Sequence, residues 1–480
     1  MFLRVCGRRR ASALVTALAV LIVLSFLLLQ LHDRFGGRFI QFRSGADAEI
    51  GSPHWAPDLP LDYHPDNISE PLWCQDRFGA RYLGNAAKSA VSLCSGESTS
   101  RFTCFTSRTA DGSTRVDAMC HGRGAVFEQS LRQFRLGCEP RPLTSDELAR
   151  RVPDITDGLP RYWYDTGPGN VMEETVLLNK TAPAGRPQVT TILVKREGSG
   201  NPWHSLMEIM SLSWSLDVLQ MSLDAETGEP FITPRSGAKM QVVLIDEHED
   251  GPYIELWRLF ATMPVRRISD LNASEPASDI IIPFAGGSNT LWQGDWEDLL
   301  CRDSALVKTF VSRALALYKV ITPTKNEAKV KVTFVRRTNT RRLVDEDAHM
   351  QALRDRISHM ELRIVDFGTI PFAQQLEIAR ETDLLVGVHG AGLTHSMFLQ
   401  PGSAVLEILP EGLQHRGFRN LAQMLGIDYF STHAKMSGDA TGDDRWQFNN
   451  VVIDQQRLVD LVNSGVERLA NGGRKSHGVI

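Results

Sequence analysis

The second half of the chain alternates between two kinds of segment, and this alternation limits the fold more than any other feature. VKVTFVRR near Val330, ELRIVDF near Leu362, DLLVGVHG near Leu384, SAVLEILP near Val405 and DYFST near Tyr429 carry short aliphatic runs of strand length. Asp345 to Met360, Pro371 to Glu381 and Arg416 to Leu425 fill the gaps with helical lengths and apolar spacing. Strands covered on both faces read as continuous apolar runs, so the pattern predicts a doubly wound parallel sheet. A similar rhythm begins at Gln188. VTTILVK is followed by the helix-like WHSLMEIMSLSWSLDVLQM and by two further strand runs, QVVLIDE (Gln241 to Glu247) and DIIIPF (Asp279 to Phe284). The expected fold class is α/β, two halves with a cleft between them, and ligands in such sheets bind beyond the carboxyl ends of the strands.

Ahead of these halves, Ala11 to Leu31 (ASALVTALAVLIVLSFLLLQL) is uncharged over 21 residues. That is enough to cross a hydrocarbon layer of about 30 Å at about 1.5 Å per residue. The run ends in QLHDRF rather than at a small-x-small cleavage site, and Arg4, Arg8, Arg9 and Arg10 precede it. These features predict an uncleaved signal anchor with a cytosolic N-terminus and a luminal bulk. Cysteine usage agrees. Six of the seven cysteines (Cys74, Cys94, Cys104, Cys120, Cys138, Cys301) follow the anchor, and none forms a CxxC pair. Disulfides in an oxidising lumen suit them better than zinc, and spacing leaves their pairing open. Asn67, Asn179 and Asn272 each open an N-x-S/T sequon of the kind a secretory surface carries. With 52 Lys and Arg against 57 Asp and Glu, the net charge of −5 gives no sign of nucleic-acid binding.

The stretch from Asp383 to Pro410, DLLVGVHGAGLTHSMFLQPGSAVLEILP, reads as strand, turn, helix, turn, strand. Gly390, Ala391 and Gly392 would let a phosphate approach the backbone, and a helix opening near Leu393 would present free N–H groups to an anion. His389 would stand beside that turn, and Glu407 in the next strand could accept hydrogen bonds from a ribose. Arg336, Arg337, Arg341 and Arg342 follow VKVTFV directly, where a guanidinium could fork two bonds to a diphosphate. Arg336, then Arg341, are the favoured pair of candidates, although a solvated charge run explains most of such a cluster. In NPWHSLMEIMS, Asn201 would cap a helix that places His204 and Glu208 on one face, a histidine base with a carboxylate to fix its tautomer. No HExxH, GxSxG, GxxxxGK[ST] or GxGxxG pattern is present, which weakens zinc, hydrolase, P-loop and dinucleotide readings. The acidic run Asp345 to Asp347 is taken as offsetting a helix dipole rather than as a metal site.

GVHGAGLTHSMFL followed by PGSAVLEI resembles the signature of glycosyltransferase family 61, and NPWHSLMEIMS, TFVRR, PLWCQDRFG and VVIDQQRLVDLV resemble that family in the same order. The likeness covers roughly Pro71 to Glu467. It implies a GT-B-like architecture of two Rossmann-like domains, a UDP-sugar donor, inversion at the anomeric carbon and no required metal or other cofactor. His389, Gly390 and Gly392 with Glu407 match the donor-side motif, and His204 matches the histidine of the other domain. The expected layout is a cytosolic tail (1–10), transmembrane anchor (11–32) and stem (33–70), then a Cys-rich plus α/β acceptor-side domain (71–320) and a nucleotide-sugar-binding domain (321–480). The expected activity is transfer of a sugar, GlcNAc by preference, to a Ser/Thr hydroxyl of a secretory-pathway protein. A pentosyltransferase acting on a glycan and a silent glycan-binding protein are the alternatives. A tail ending SHGVI carries no KDEL-like signal, so the Golgi stands beside the endoplasmic reticulum as a location.

Overall fold

In a computed structural model that describes residues 59–109, 115–323 and 329–471, the aliphatic runs of the two halves become strands of two separate sheets. The expected anchor at 11–32 lies outside the described residues, as does the stem up to residue 58. Among the described residues no helix is long and apolar enough to cross a membrane.

The first sheet contains β1 (Val91–Ser92), β2 (Arg101–Ser107), β3 (Asp117–Glu128), β4 (Gln133–Leu136), β5 (Val176–Leu178), β6 (Val189–Val194), β7 (Met240–Leu244), β8 (Arg266–Arg267) and β9 (Ser278–Ile282). Its order is β1-β2-β3-β9-β6-β7-β8, with β4 and β5 attached beside β3. β9, β6, β7 and β8 run parallel, as do β4 and β5 beside β3. Strands of the Cys-rich segment extend the same sheet in antiparallel fashion, because β3 pairs with β9. The first half is therefore a mixed sheet and not a plain doubly wound one. Disulfides link Cys104 to Cys120, opposite one another on β2 and β3, and link Cys94 to Cys138 and Cys74 to Cys301. The last bridge spans 227 residues and ties the start of the described chain to the end of this half.

The second sheet has β10 (Val330–Val335), β11 (Met360–Val365), β12 (Leu384–Val388), β13 (Ala404–Pro410), β14 (Asp428–Ser437) and β15 (Asn450–Val452). Its order is β11-β10-β12-β13-β14-β15, parallel throughout except for β15. The chain leaves β10 to form β11 on one side and returns to form β12 on the other. The carboxyl ends of β10 and β12 thus flank a topological switch point, where open α/β sheets leave a crevice. Val332, Phe334, Val386, Leu406 and Ile408 pack with Leu458 and Val462 of the last helix, α6 below, in a core separate from that of the first half.

Six helices matter for the site: α1 (Pro202–Met221), α2 (Ala305–Leu317), α3 (Glu346–Arg356), α4 (Phe372–Glu381), α5 (Gly417–Met424) and α6 (Gln455–Ala470). In α1, Asn201 accepts the Trp203 N–H at 3.0 Å and Pro202 takes the first helical position, two features that start a helix. Apolar residues lie all around α1, so nearly its whole length is buried. One of its two buried acids, Asp217, is held by Arg313 at 2.9 Å and by the Tyr63 hydroxyl at 3.0 Å.

Candidate active site

The loop after β6 turns into α1 and brings His204 to the carboxyl end of the first sheet. The carboxyl group paired with the His204 Nδ1 belongs to Glu197, in ion-pair contact, and not to Glu208 as the helical spacing suggested. Glu208 is turned elsewhere: its Oε1 accepts the backbone N–H of Glu197 at 2.7 Å, and its Oε2 is buried without a partner. Burial pushes the Glu208 carboxyl well above the ordinary carboxylate range. Gly286 allows this packing, since a Cβ there would lie 2.6 Å from the Glu208 Cγ. Glu208 also borders a small recess at the ends of β6 and β9, lined by Leu212, Trp257 and Phe284. It supports Glu197, which in turn orients His204. The His204 side chain is 26% exposed, and its ring stacks on Trp292 at 4.5 Å.

A second pair forms at the end of β12. Parallel register sets Gly387 opposite Glu407 on β13. The His389 Nδ1 meets Glu407 Oε1 at 2.5 Å, and the Tyr429 hydroxyl on β14 donates to Glu407 Oε2 at 2.5 Å. Glu407 is wholly buried and both oxygens are engaged, so it is not free to hold a ribose. That expectation is corrected: the acid lies beneath His389 and fixes its tautomer, with the proton placed on Nδ1. Burial lowers the proton affinity of His389, which the Glu407 bond opposes and the nearby His415 and Arg341 reinforce. The imidazole is therefore neutral, and no protein group bonds its Nε2 among the described residues.

The arginines divide differently from the expected order. Arg336 is engaged by the acids that open α3, bonding Glu346 at 2.5 Å and Asp347 at 3.2 Å. Those acids act as ion-pair partners and do not form a metal site. Arg337 and Arg341 have no carboxylate within ion-pair reach among the described residues. Arg337 donates from Nε to the Thr340 carbonyl at 2.9 Å, and the Arg341 Nε is buried without a partner. Burial lowers the pKa of both; for Arg341 burial and the neighbouring Arg337 together bring it down to about 10. Two charged guanidinium groups that form no direct ion pair, with Asp366 acting on Arg337 only from beyond ion-pair reach, lie at the switch point of a parallel sheet and form a site that an anion would neutralise. Trp446 closes one side, 5.3 Å from the Arg341 guanidinium and 5.5 Å from the His389 ring.

The glycine turn faces this pair. Gly390 has φ +156°, and a Cβ there would lie 2.1 Å from an Arg337 terminal nitrogen, so the arginine passes directly over bare backbone. The following helix was expected near Leu393. It is a 3₁₀ helix, Ala391–Phe398, and its first bond runs from the Leu393 N–H to the Gly390 carbonyl at 2.9 Å. The amides of Ala391 and Gly392 precede that bond and have no intrahelical acceptor. The Leu393 side chain is core, and so is His395, whose Nδ1 lies 2.8 Å from the Gly392 carbonyl while its ring stacks on Phe367.

The two pairs lie along one seam. Trp203, next to His204, packs on Phe418 (5.4 Å) and His415 (6.4 Å), and His415 lies 4.7 Å from His389. The His415 Nε2 meets Asp295 at 3.3 Å, and Asn420 of α5 bonds the Gly294 and Glu297 carbonyls. Arg416 N–H donates to the Asp295 carbonyl at 2.6 Å. Carboxyl ends of both sheets therefore meet here. Among the described residues the one cluster of ligand-type atoms, Glu70 with Cys74 and Cys301, contains two disulfide-bonded sulfurs and offers no thiolate.

Glu197, Arg337, Tyr429, His415 and Trp446 were not singled out from sequence. Only Arg337 had a direct signal, as the second member of the Arg-Arg pair. Pairing of Glu197 with His204 depends on how the loop folds back, and Tyr429 reaches Glu407 only because β14 lies in register beside β13.

An α/β protein with Arg337 over a glycine turn, Arg341 beside it and a histidine–acid pair at each sheet end has the groups that could hold an anionic ligand beside a proton acceptor. Comparisons with known proteins narrow that class. The family described as Glycosyltransferase 61 matches residues 204–406, from His204 to the residue before Glu407. An EGF domain-specific O-linked N-acetylglucosamine transferase of Drosophila melanogaster is 25% identical over 297 residues, covering 58% of this chain and 53% of its own length. The mouse protein of the same name is 33% identical over 134 residues, covering 27% of this chain and 25% of its own length. The Xenopus laevis one is 29% identical over 175 residues, covering 34% and 33%. The aligned region thus spans about half or less of these relatives' length. A Thermotoga maritima flavo di-iron protein structure covers 79% of this chain at 8% identity and a TM-score of 0.22, too low to bear on fold or chemistry. Residues 204–406 thus match glycosyltransferase family 61, and the chain is distantly homologous to EGF domain-specific O-GlcNAc transferases.

Proposed function

We propose that this chain moves a sugar from a UDP-sugar to a hydroxyl acceptor with inversion, in a GT-B-like arrangement of its two α/β halves. The observation that carries the reading is Arg337 over the bare Gly390 backbone at the β10/β12 switch point, with Arg341 beside it and neither in a direct ion pair. A UDP diphosphate supplies the ion-pair partner. Two guanidinium groups and the free amides of Ala391 and Gly392 stabilise it further as it departs, the moment at which its charge is greatest. In this arrangement those groups supply the positive charge, with no metal or cofactor required of the chain. Neutral His389, held by Glu407 and Tyr429, accepts a hydrogen bond through Nε2 from a donor hydroxyl.

His204, oriented by Glu197, is the base. It takes the proton of the acceptor hydroxyl as that oxygen bonds to the anomeric carbon and the bond from carbon to the UDP oxygen breaks. A single displacement inverts the carbon. The names of its relatives, which print O-linked N-acetylglucosamine and an EGF domain, support GlcNAc as the sugar, and on this reading the acceptor is a Ser/Thr hydroxyl on a secretory-pathway protein. Three disulfides support residence in an oxidising compartment, as a type II membrane protein of the endoplasmic reticulum or Golgi held by the 11–32 run. The test is a panel of UDP-sugars incubated with the purified protein. One sugar, UDP-GlcNAc on this reading, should yield slow UDP release; no release and no UDP binding would sink the proposal.

A further inference from the structure

Next to His204 the chain exposes aromatic rings on a strained but anchored loop. Trp163 is 60% exposed and Tyr164 is 62% exposed. Tyr164 and Asp165 are consecutive non-glycine residues at φ +59° and +56°, a left-handed conformation that bulky side chains avoid. The loop is nevertheless fixed at its base. The Tyr162 N–H donates to the Thr166 carbonyl at 2.9 Å, and the Thr166 hydroxyl donates to the Trp163 carbonyl at 2.9 Å. Below it, the Tyr162 hydroxyl meets Asp117, and Arg115 lies 4.5 Å over the Tyr162 ring. Surrounding structure thus holds a conformation that the local sequence disfavours, and the result is two rings aimed at solvent.

These rings continue the candidate active site. Trp163 lies 6.2 Å from Trp292, Trp292 stacks on His204 at 4.5 Å, and Tyr164 lies 6.2 Å from His204. Of the charges beside the rings, Arg161 is paired with Glu173 and Asn170, and the exposed Asp165 follows Tyr164 in the same loop. Trp163 and Tyr164 do not line an enclosed, polar-lined pocket such as a small sugar requires; they are open faces. Rigid, exposed Trp and Tyr rings give large contact area with little entropy to lose, the pattern of protein-recognition hot spots.

We infer that Trp163 and Tyr164, with Trp292 behind them, dock the apolar surface of a folded acceptor domain and bring its hydroxyl to His204. This rests on the transferase reading above and assigns the side from which the acceptor enters.

The test uses the full chain, a disulfide-bonded EGF-like domain as acceptor, and the same domain reduced and alkylated. Trp163→Ala removes one ring; Tyr164→Gly removes the other while suiting the left-handed backbone, so that loss of fold does not explain a defect. The expected result for the double variant is a fall of about tenfold or more in kcat/KM for the folded domain, carried by KM. Donor hydrolysis should stay within about twofold, since the anion site is untouched. Binding of the folded domain, measured by calorimetry without turnover, should weaken in parallel. Equal transfer or binding by the variant, equal use of the alkylated domain by the wild type, or transfer to a free oligosaccharide and not to the domain would each overturn the docking role. Failure of the wild type to release UDP from any donor would instead refute the transferase reading, and the binding measurement would still decide the docking.

Discussion

The two histidine–carboxyl pairs at the seam share a chemical formula and differ in their surroundings. His204 stands in the first turn of α1, a quarter exposed, with its acid supplied by a loop that Glu208 braces from behind. His389 stands at a strand end, buried, with its acid one strand away and a tyrosine two strands away. Charge separates them further. Burial, His415 and Arg341 all lower the proton affinity of His389, whereas the group beside the His204 Nδ1 is an acid. A proton acceptor needs access to the hydroxyl and a partner for the charge it gains. A binding group needs a fixed tautomer and a fixed direction. The open pair suits the first task and the strand-borne pair the second.

The most severe break in this comparison is His204→Ala. Loss of a general base lowers kcat by about 10²–10⁴-fold, while UDP affinity, measured by calorimetry, should hold. If His389→Ala shows that pattern and His204→Ala stays active, the roles of the two pairs are exchanged. Next in size is removal of the anion site. A hydrogen bond to a charged group contributes about 1.5–3 kcal/mol, so Arg337→Ala and Arg341→Ala should each weaken UDP binding by roughly 10- to 100-fold. Arg336→Ala should change it far less, because that side chain already answers Glu346. Equal losses for all three would return the arginines to a general field effect.

How far these assignments were legible in the sequence follows the same division. Every aliphatic run in the second half became a strand, because a strand covered on both faces needs continuous apolar residues and little else satisfies that pattern. His389 beside a glycine turn was visible for a similar reason: the turn, the strand before it and the bare backbone are contiguous. Contacts made across register or by loops were hidden. Glu407 reads as an accessible acid at a strand end, and only its position between His389 and Tyr429 reveals that it serves the protein interior. Glu208 lies four residues from His204, a spacing that helices use for pairing, but the loop carrying Glu197 reaches the histidine first. Arg336 and Arg337 are adjacent letters whose opposite fates depend on strand pleat and on the acids opening α3. Likewise, the Cys-rich strands declare their disulfides by number but not that they extend a neighbouring sheet.

A smaller effect sharpens the description of the buried pair. Tyr429→Phe removes the hydroxyl that satisfies the Glu407 Oε2 and leaves a buried oxygen without a partner. Burial keeps this phenol protonated, so it acts only as a donor. The cost to stability should be about 1–3 kcal/mol, read from denaturant midpoints, with UDP affinity falling only a few-fold. A loss of affinity as large as that of Arg337→Ala would mean that Tyr429 itself reaches the donor.

The smallest effect concerns Glu208 and has a characteristic pH dependence. Its carboxyl stays protonated in the folded chain at a pH where the unfolded chain has ionised it. Above the ordinary carboxyl range the unfolded state therefore binds fewer protons than the folded one, and stability declines as pH rises, by at most about 1.4 kcal/mol per pH unit from this group. Glu208→Gln keeps an oxygen for the Glu197 N–H and removes the titration. At pH 5 the variant should be slightly less stable than the wild type, because its new amide donor lacks the buried partner that the Oε2 also lacks. Between pH 5 and 7.5 that gap should close and then reverse. His204 activity should persist in the glutamine variant, since the brace on Glu197 survives. A stability difference independent of pH would mean that Glu208 is ionised in the folded protein, which would make the open pair a histidine flanked by two negative charges and its base correspondingly stronger.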